Sequence, residues 1–421
     1  MDSSEIDSET SISSDENLDQ GSNIDFKGKL LKNFNVIKEI GRGSYSIVWL
    51  AYDITNEKFC AVKVQNPEDL KDGLAEIKVL KKLPEDESLL KIQEYFIKNV
   101  GEKKFLCSSY ELCCGNLDSI IRKGDFKGGL DLKISKKIFK QIIKGLDIIH
   151  NKCNLIHCDI KTDNILLKGQ NNKDKFMIDL YKKYNFGERY LEAKKKFWTD
   201  SGKNLKNIKK MKSEQKVKIR KVVHQAILDQ IDLELKDKNF EDDKLSKDLV
   251  ESPTITIADF GAACTDDEFY EEDFGTRYYR APEVILMGEI SAKVDVWAAG
   301  CILYELITGE LLFDPEKDKN KTRDYYHLLE MSKVSGKFEK KFLKSTKYYK
   351  NFFDSDYDLK DTEFREYYDW DELLDKIKDP KEKGLIIDLI KKMLVTNPKN
   401  RITASEVLKH DWLNNEVVSK I

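Results

Sequence analysis

The stretch His157-Cys158-Asp159-Ile160-Lys161-Thr162-Asp163-Asn164 decides how the rest of the chain is interpreted. Isoleucines and leucines at helical spacing precede it and a short apolar run follows it, so it is predicted to be a loop after a long helix. In such a loop Asp159 can accept a hydroxyl proton, Lys161 can stabilise negative charge, and Asn164 can coordinate a metal ion. Each residue alone also fits a turn, a helix cap or a surface charge, so the interpretation depends on the other motifs.

A glycine-rich stretch lies nearer the N terminus, between two predicted strands. Its sequence is Ile40-Gly41-Arg42-Gly43-Ser44-Tyr45-Ser46-Ile47-Val48. Glycines there let backbone N–H groups approach phosphate oxygens closely, although a hairpin turn explains them equally well. Ser46 stands where a dinucleotide-binding fingerprint has its third glycine, and no helix follows at once, which argues against a dinucleotide-binding fold.

Further charged residues lie at the ends of apolar runs. Ala61-Val62-Lys63 places a cation on a predicted strand, and Glu76, on the next predicted helix, is either its partner or a surface charge. Asp259-Phe260-Gly261 places a carboxylate at the end of another predicted strand, beside a glycine that permits a sharp turn. Ala281-Pro282-Glu283 and Asp295-Val296-Trp297 follow. Chance is a poor explanation for all of these motifs in this order.

Across residues 34–413 the chain resembles the eukaryotic-type protein kinases. The resemblance rests on the glycine-rich loop, the strand lysine, and the H-x-D-x-K-x-x-N, D-F-G and A-P-E motifs. It implies an α+β, bilobal protein-kinase fold with a β-rich N-lobe and a mainly helical C-lobe. It also implies ATP and Mg²⁺ as cofactors, and transfer of the γ-phosphoryl group to serine or threonine of protein substrates.

The resemblance assigns nucleotide-binding roles in the first part of the chain. Residues 40–48 and Ala61 would cover ATP, and Lys63, paired with Glu76, would bind its α- and β-phosphates. Tyr110 resembles the gatekeeper residue of protein kinases. The adenine-binding hinge would be formed by Glu111, Leu112 and Cys113.

Catalytic and structural roles are implied for the second part. Asp159 would orient the substrate hydroxyl and take its proton, Lys161 would stabilise negative charge, and Asn164 and Asp259 would hold Mg²⁺. Structural roles are implied for a pair, Glu283 with Arg401, and for an anchor on a helix, Asp295.

The stretch from Gly275 to Glu283 resembles the CMGC group, which holds the cyclin-dependent, MAP, CDC-like and serine/arginine-protein kinases. Three features resemble the serine/arginine-protein kinases: Cys158 before the catalytic aspartate, the 95 positions between Asn164 and Asp259, and the stretch at residues 344–360. That family usually has Leu where Phe260 stands and lacks the intact Ala-Pro-Glu. A CDC-like or proline-directed kinase of the same group therefore stays open, as does a pseudokinase scaffold.

Cys158 stands where most kinases carry an arginine that binds a phosphate on the activation segment. We therefore expect activity without activation-loop phosphorylation. The segment itself is acidic, and with Asp324 it suggests an electronegative groove suited to Arg/Ser-rich substrates, since guanidinium groups pair well with carboxylates. The acids of the segment are Asp266, Asp267, Glu268, Glu271, Glu272 and Asp273.

Residues 168–253 are interpreted as a charged insertion within the kinase domain. Residues 182–221 hold 15 Lys and Arg against 4 Asp and Glu, whereas residues 222–251 hold 4 against 9. One amphipathic helix is predicted around Val223 and Ile227, but the favoured interpretation of the block is a disordered, solvated spacer. A nuclear localisation signal, or contact with RNA, DNA or an acidic segment, stays open, although no nucleic-acid-binding motif is present.

Composition constrains the remaining expectations. Residues 1–26 are rich in Ser, Asp and Glu and carry no Lys or Arg, so a disordered acidic tail is predicted there, and residues 414–421 are taken as a C-terminal tail. The net charge of −3 excludes a chain-wide affinity for nucleic acid. Eight cysteines without CxxC or zinc spacing favour a reducing compartment, the cytoplasm or the nucleus. Neither a secretory signal nor a membrane span is expected, and a monomer is assumed.

Overall fold

The computed structural model describes residues 25–122, 126, 128–236, 238, 252–265, 274–360 and 367–414. These residues belong to two compact units. The first is drawn from Met1–Ile77, Lys91–Cys114 and Gly169–Ser246, and the second from Lys78–Leu90, Gly115–Lys168 and Lys247–Ile421.

The predicted tails lie almost entirely outside the described residues. Phe26, at the end of the predicted N-terminal tail, is buried and packs edge-on against Trp49 and Phe105. The tail prediction did not anticipate this contact, because a single aromatic residue does not change the acidic composition of the segment.

The first unit is built on a six-stranded antiparallel sheet with the order β1-β2-β3-β4-β6-β5. Its strands are β1 (Leu30–Leu31), β2 (Phe34–Arg42), β3 (Ser46–Asp53), β4 (Lys58–Gln65), β5 (Ile92–Val100) and β6 (Lys103–Tyr110). Branched and aromatic side chains, which favour strands, are frequent in this sheet. Val36, Trp49 and Val62 are among those that form the core on one of its faces. Helix α1 (Leu70–Leu80) confirms the helix that was predicted to carry Glu76.

Residues 172–236, which we call the helical insertion, pack on the opposite face of this sheet. They form α4 (Asn172–Lys183), α5 (Phe186–Asp200), a 3₁₀ helix (Leu205–Lys210) and α6 (Ser213–Lys236). Their apolar side chains share a core with Ile37 and Leu50 of the sheet, both fully buried. Alternate residues of a strand point to opposite faces of a sheet. Ile37 and Leu50 therefore pack against the insertion and do not enter the core that contains Val36, Trp49 and Val62.

The interpretation of the insertion as a disordered spacer is wrong for residues 172–236. Buried apolar residues recur at helical spacing along α6, namely Ile219, Val223, Ile227 and Ile231. Lysines dominate the composition but lie mainly on the exposed face, so the average charge concealed the apolar stripe. The amphipathic helix predicted around Val223 and Ile227 is confirmed as part of α6, whereas residues 237 and 239–251 lie outside the described residues.

The second unit is mainly helical. Its helices are α2 (Leu117–Arg122), α3 (Leu132–Cys153), α7 (Pro282–Ile285), α8 (Lys293–Thr308), α9 (Arg323–Ser335), α10 (Lys340–Lys344), α11 (Tyr349–Phe352), α12 (Trp370–Leu373), α13 (Pro380–Met393), α14 (Ala404–Leu408) and α15 (Asp411–Asn414). The predicted long helix is confirmed in α3, whose N-cap Asp131 accepts from Lys133 N. Within the described chain, none of the helices combines the length and apolar character that crossing a membrane requires.

Short strands frame the loops of the second unit. They are β8 (Leu155–Ile156), β9 (Ile165–Lys168), β10 (Ile255–Ile257) and β11 (Cys264–Thr265), while β7 (Cys113–Asn116) lies at the boundary of the two units. β9 pairs antiparallel with β10, and β8 pairs antiparallel with β11. These pairings bring the loop after β8 close to the segment after β10. The expected β-rich N-lobe and mainly helical C-lobe are confirmed.

Candidate active site

The glycine-rich loop connects β2 to β3 in the first unit. Gly43 N donates to Ser46 O at 2.9 Å, and Asn66 N, just after β4, donates to Tyr45 O at 2.9 Å. Tyr45 at the tip is 68 % exposed. The backbone of the loop is therefore fixed by hydrogen bonds, one of them at Tyr45, while the Tyr45 side chain faces solvent.

Lys63 on β4 and Glu76 on α1 are brought together as predicted. Lys63 Nζ lies 2.9 Å from Glu76 Oε2, and the carboxylate is nearly buried. Because the Glu76 carboxylate is shielded from water, its attraction for the Lys63 ammonium is strong, and the ion pair fixes the position of that ammonium. Lys63 pairs across the sheet with Val48, at the end of the glycine-rich stretch, so its backbone adjoins that stretch.

The predicted gatekeeper and hinge lie at the end of β6. Tyr110 is buried and pairs with Ala61 of β4, and Glu111, Leu112 and Cys113 follow it, all half-buried. The backbone carbonyl of Leu112 accepts from Gly169 N. The first unit thus places every residue predicted to bind ATP along three neighbouring strands and the segment after β6.

The catalytic loop, residues 157–164, connects β8 to β9 in the second unit. Asp159 Oδ1 accepts from Thr276 N at 2.9 Å and from Thr276 Oγ1 at 2.8 Å, and Lys161 Nζ lies 2.8 Å from Asp159 Oδ2. Lys161 Nζ also donates to Thr276 Oγ1 at 2.9 Å. Burial raises the pKa of Asp159, but hydrogen bonds from Lys161 and Thr276 outweigh it and hold the pKa below its ordinary value. Asp159 is therefore a carboxylate near neutral pH.

The predicted anchor Asp295 shapes this loop from the N-terminal end of α8. Its carboxylate accepts from His157 N at 2.8 Å and from Cys158 N at 3.0 Å, and His150 Nε2 lies 2.8 Å away. Cys158 adopts a φ of 70°, a conformation that non-glycine residues rarely take. The two hydrogen bonds that Asp295 accepts from the loop backbone offset this strain and turn the chain so that Asp159 follows in its bonded position.

Asn164 and Asp259, the predicted metal ligands, adjoin one another in the second unit. Ala258 N donates to Asn164 O at 2.9 Å, which brings the next residue, Asp259, alongside. Asn164 Nδ2 donates to Asp159 O at 2.8 Å, and Asp259 has a φ of 63° at the turn after β10. Amide and carboxylate oxygens are the donors that Mg²⁺ takes in proteins, so the residues fit this ion.

Cys158 and Asp324, which were given roles in regulation and in substrate binding, both have partners in the second unit. Cys158 is buried with its sulfur 3.5 Å from Cys264, and the hydrogen bond between the thiols together with burial raises its pKa, so it carries no charge. Asp324 does not present a free carboxylate to a substrate, because it forms an ion pair with Arg277. The other acids predicted for the groove, residues 266–268 and 271–273, lie outside the described residues.

The structural pair predicted for the C-lobe is confirmed. Arg401 donates from both terminal nitrogens to Glu283, at 2.6 and 2.8 Å, and both side chains are fully buried. Such a bidentate pair holds its geometry tightly.

Two features near Asp159 were missed from the sequence. Thr276 falls within the stretch from Gly275 to Glu283, for which no catalytic role was predicted, yet it donates twice to Asp159. Its place after Gly275 was the only signal in the sequence. Desolvation of the Asp163 carboxylate by the surrounding loop raises its pKa, and Asp118 raises that pKa further, against the opposing charges of Lys161 and Arg122. Asp118 belongs to α2, and no sequence pattern indicated that it lies close to the loop.

Comparison with known proteins agrees with this arrangement. The family model described as "Protein kinase domain" matches residues 34–188 and 234–413. The chain is 27% identical to the protein named "Putative serine/threonine-protein kinase L205" of Acanthamoeba polyphaga mimivirus, over 92% of this chain and 88% of the relative. It is 28% identical to serine/threonine-protein kinase SRPK of Physarum polycephalum, over 90% and 86%. It is 23% identical to SRSF protein kinase 3 of Mus musculus, over 90% and 86%.

The chain belongs to the protein kinase family and is a protein serine/threonine kinase. Its motifs and relatives fit the serine/arginine-protein kinases of the CMGC group at modest identity, which confirms the predicted resemblance.

Proposed function

We propose that the chain transfers the γ-phosphoryl group of ATP to serine or threonine of Arg/Ser-rich proteins, with Asp159 as the residue that takes the hydroxyl proton. The observation that carries this proposal is the network around Asp159, in which Thr276 and Lys161 hold an ionised carboxylate in one orientation. A substrate hydroxyl donates to that carboxylate and loses its proton to it as the new O–P bond forms, while the bond from the γ-phosphorus to the bridging oxygen breaks and ADP leaves.

The chain's other polar residues contribute positioning and charge. Backbone N–H groups of residues 41–46 and the ammonium of Lys63, fixed by Glu76, would hold the phosphates of ATP, with Ile40, Val48, Ala61 and the segment 111–113 around the base. Asn164 and Asp259 would hold Mg²⁺, which neutralises phosphate charge when bound. Lys161 stabilises the negative charge that develops beside Asp159.

The preference for Arg/Ser-rich substrates is supported by the acids beside the catalytic loop. Asp163 is exposed on the catalytic loop, and no ion pair within the structure's described residues engages its carboxylate, whereas Asp118 pairs with Arg122. A substrate guanidinium would pair with Asp163. We expect Asp163→Asn to lower kcat/KM for an Arg-Ser-repeat peptide about 10-fold, within the range of a charged hydrogen bond, and to leave a neutral Ser peptide unchanged. Equal losses on both peptides would contradict this preference.

Activity without activation-loop phosphorylation is supported by Cys158 and by the contacts of the described part of the activation segment. Cys158 offers no cation to a phosphate, while Thr276 and Tyr279 bond to the catalytic loop through Asp159 and Thr162. Tyr279 also donates to Glu305 at 2.6 Å. Treatment with phosphatase until no phosphate remains should leave the rate unchanged. Loss of activity, restored by rephosphorylation, would disprove this part of the proposal.

The test of the whole proposal is a peptide panel with labelled ATP and Mg²⁺. We expect transfer chiefly to Arg-Ser repeats rather than to Ser-Pro or generic basic peptides, and none from Asp159→Ala. Preference for Ser-Pro would favour a proline-directed kinase of the same group. No transfer by a folded protein that binds ATP would favour a pseudokinase scaffold.

The domain limits, partners and compartment complete the proposal. We infer a kinase domain at residues 34–413 interrupted by an insertion at 168–253, acting as a monomer on protein substrates in the cytoplasm or nucleus. Lysines of the insertion such as Lys195, Lys196 and Lys210 are exposed, and exposed lysines suit contact with the phosphates of a nucleic acid. Binding to RNA that weakens steeply as salt rises would support this contact, and its absence at low salt would remove it.

A further inference from the structure

The second half of β2, which leads into the glycine-rich loop, is weakly held by the sheet itself. β1 pairs only with Phe34 and Asn35, and Gly28 N and Lys29 O extend that edge to Val36. Among the described residues, no strand continues along this edge towards Arg42. On its other edge, the ladder with β3 shifts register twice, between Val36 and Lys38 and between Glu39 and Gly41. Irregular pairing on one edge and none on the other leaves this segment in need of other contacts.

The helical insertion supplies apolar contacts to this segment. Ile37 and Leu50 lie in one core with Tyr181 of α4 and Ile227 of α6, all at most 1 % exposed. Ile40, immediately before Gly41, packs against the same core. Such contacts restrict a strand without fixing its register, because dispersion is not directional.

Register is fixed by a buried chain of hydrogen bonds. Asn35 Nδ2 donates to Tyr181 Oη at 2.9 Å, Tyr181 Oη lies 3.1 Å from His224 Nδ1, and His224 Nε2 lies 2.8 Å from Val36 O. A carbonyl oxygen can only accept a hydrogen bond, so His224 carries its proton on Nε2 and donates it to Val36 O. Its Nδ1 then accepts a hydrogen bond from the hydroxyl group of Tyr181. The chain begins and ends on neighbouring residues of β2, and a slipped strand would leave its buried groups unpaired.

An ion pair fixes the strand nearer the loop. Lys38 Nζ lies 2.5 Å from Asp174 Oδ1, and the Asp174 side chain is 2 % exposed. Asn171 also holds that carboxylate, because its Nδ2 donates to Asp174 Oδ2 at 2.9 Å. The Oδ1 of Asn171 caps α4 by accepting from Asp174 N. The insertion therefore contacts β2 at residues 35, 36, 37, 38 and 40, in the approach to Gly41.

We propose that the helical insertion positions the glycine-rich loop for ATP, with His224, Tyr181 and Asp174 as positioning residues. The inference rests on the proposed function, because it assigns the loop to ATP. Loss of these contacts frees β2 to shift, so part of the affinity for ATP is spent in ordering the loop. The chemical step, performed by residues of the second unit, is unaffected once ATP is bound.

Full-length variants test this inference by their kinetics. We expect His224→Ala and Asp174→Asn to raise KM for ATP about 10-fold, within the usual range of coupling between sites, while kcat changes less than about 2-fold. His224→Gln keeps an amide donor for Val36 O, so it should recover most of the affinity. Tyr181→Phe retains the ring and should give an intermediate rise. Lys221→Ala, on the exposed face of α6, is the matched control and should leave both constants unchanged.

A structural readout separates positioning from loss of fold. Amide hydrogen exchange of residues 36–43 should quicken in His224→Ala and Tyr181→Phe, while exchange in α3 stays unchanged. Unchanged KM and exchange in folded variants, or equal effects in Lys221→Ala, would overturn the inference. Should the wild-type chain transfer no phosphate, the proposed function fails. Affinity for a fluorescent ATP analogue and the exchange rates would then still decide the inference.

Discussion

The catalytic loop and the helical insertion hold their functional elements by different forces. In the loop, Asp159 is fixed by two hydrogen bonds from Thr276, which lies 117 positions further along the chain, and by an ion pair with Lys161 of the same loop. The insertion, in contrast, holds strand β2 mainly by apolar packing, with one buried chain of hydrogen bonds through His224. The difference predicts that changes in the loop reduce the rate of transfer, whereas changes in the insertion reduce stability and ATP affinity.

Removal of residues 172–236 should have the largest effect. The sheet would expose the fully buried Ile37 and Leu50, at roughly 2 kcal/mol for each side chain, or about 4 kcal/mol for the two, and the partly buried Tyr52 and Phe59 would lose further contacts. We expect loss of soluble protein, measured by yield and thermal unfolding after replacement with a short Gly-Ser linker. Val222→Lys, at a side chain that is 63 % exposed, should remain soluble. An unchanged yield after the deletion would restore the spacer interpretation.

His224 should make stability depend on pH. Burial lowers its pKa from the ordinary value of 6.5 to about 4, although the hydrogen bond to Val36 O opposes this. The folded state therefore binds fewer protons than the unfolded state, and stability falls as the pH falls from 6.5 towards 4, by roughly 3 kcal/mol in total. We expect denaturant unfolding to be less dependent on pH over this range in His224→Gln than in the wild type. Parallel curves for the two proteins would contradict the assigned burial.

Thr276→Ala tests the loop with a smaller effect. Loss of the hydroxyl removes one hydrogen bond to Asp159 and one from Lys161, so kcat should fall about 10- to 100-fold, the equivalent of roughly 1.5–3 kcal/mol. The pKa of Asp159 should rise, because the hydroxyl helps to lower it, and the acid limb of the kcat profile should move to higher pH. Thr276→Ser keeps the hydroxyl donor, so its kcat and the acid limb of its pH profile should match those of the wild type. An unshifted acid limb in Thr276→Ala would count against Asp159 as the base.

Lys195→Ala and Lys196→Ala should have the smallest effect. Both side chains are exposed on α5, and exposed charges contribute less than about 0.5 kcal/mol to stability. Thermal unfolding and KM for ATP should match the wild type. A thermal unfolding temperature several degrees lower in either variant would mean that the lysine face of the insertion, and not only its apolar face, stabilises the first unit.

The sequence predicted the catalytic loop well and the insertion poorly, for a physical reason. Asp159, Lys161 and Asn164 lie in one short motif, because their chemistry requires fixed spacing within a loop. The contact of Thr276 with Asp159 spans 117 positions, and that of His224 with Val36 spans 188. No local pattern encodes such pairings. In the insertion, the apolar stripe at Ile219 and Ile231 was present but was masked by the lysines around it.

The most direct test of the central claim is to measure phosphoryl transfer and stability together in Asp159→Asn. The amide keeps the size of the carboxylate and can accept from Thr276, but it cannot take the hydroxyl proton. We predict a fall in kcat of about 10²- to 10⁴-fold for an Arg-Ser-repeat peptide, with thermal unfolding and KM for ATP close to those of the wild type. Transfer at the wild-type rate by this variant would contradict the assignment of Asp159 as the catalytic base.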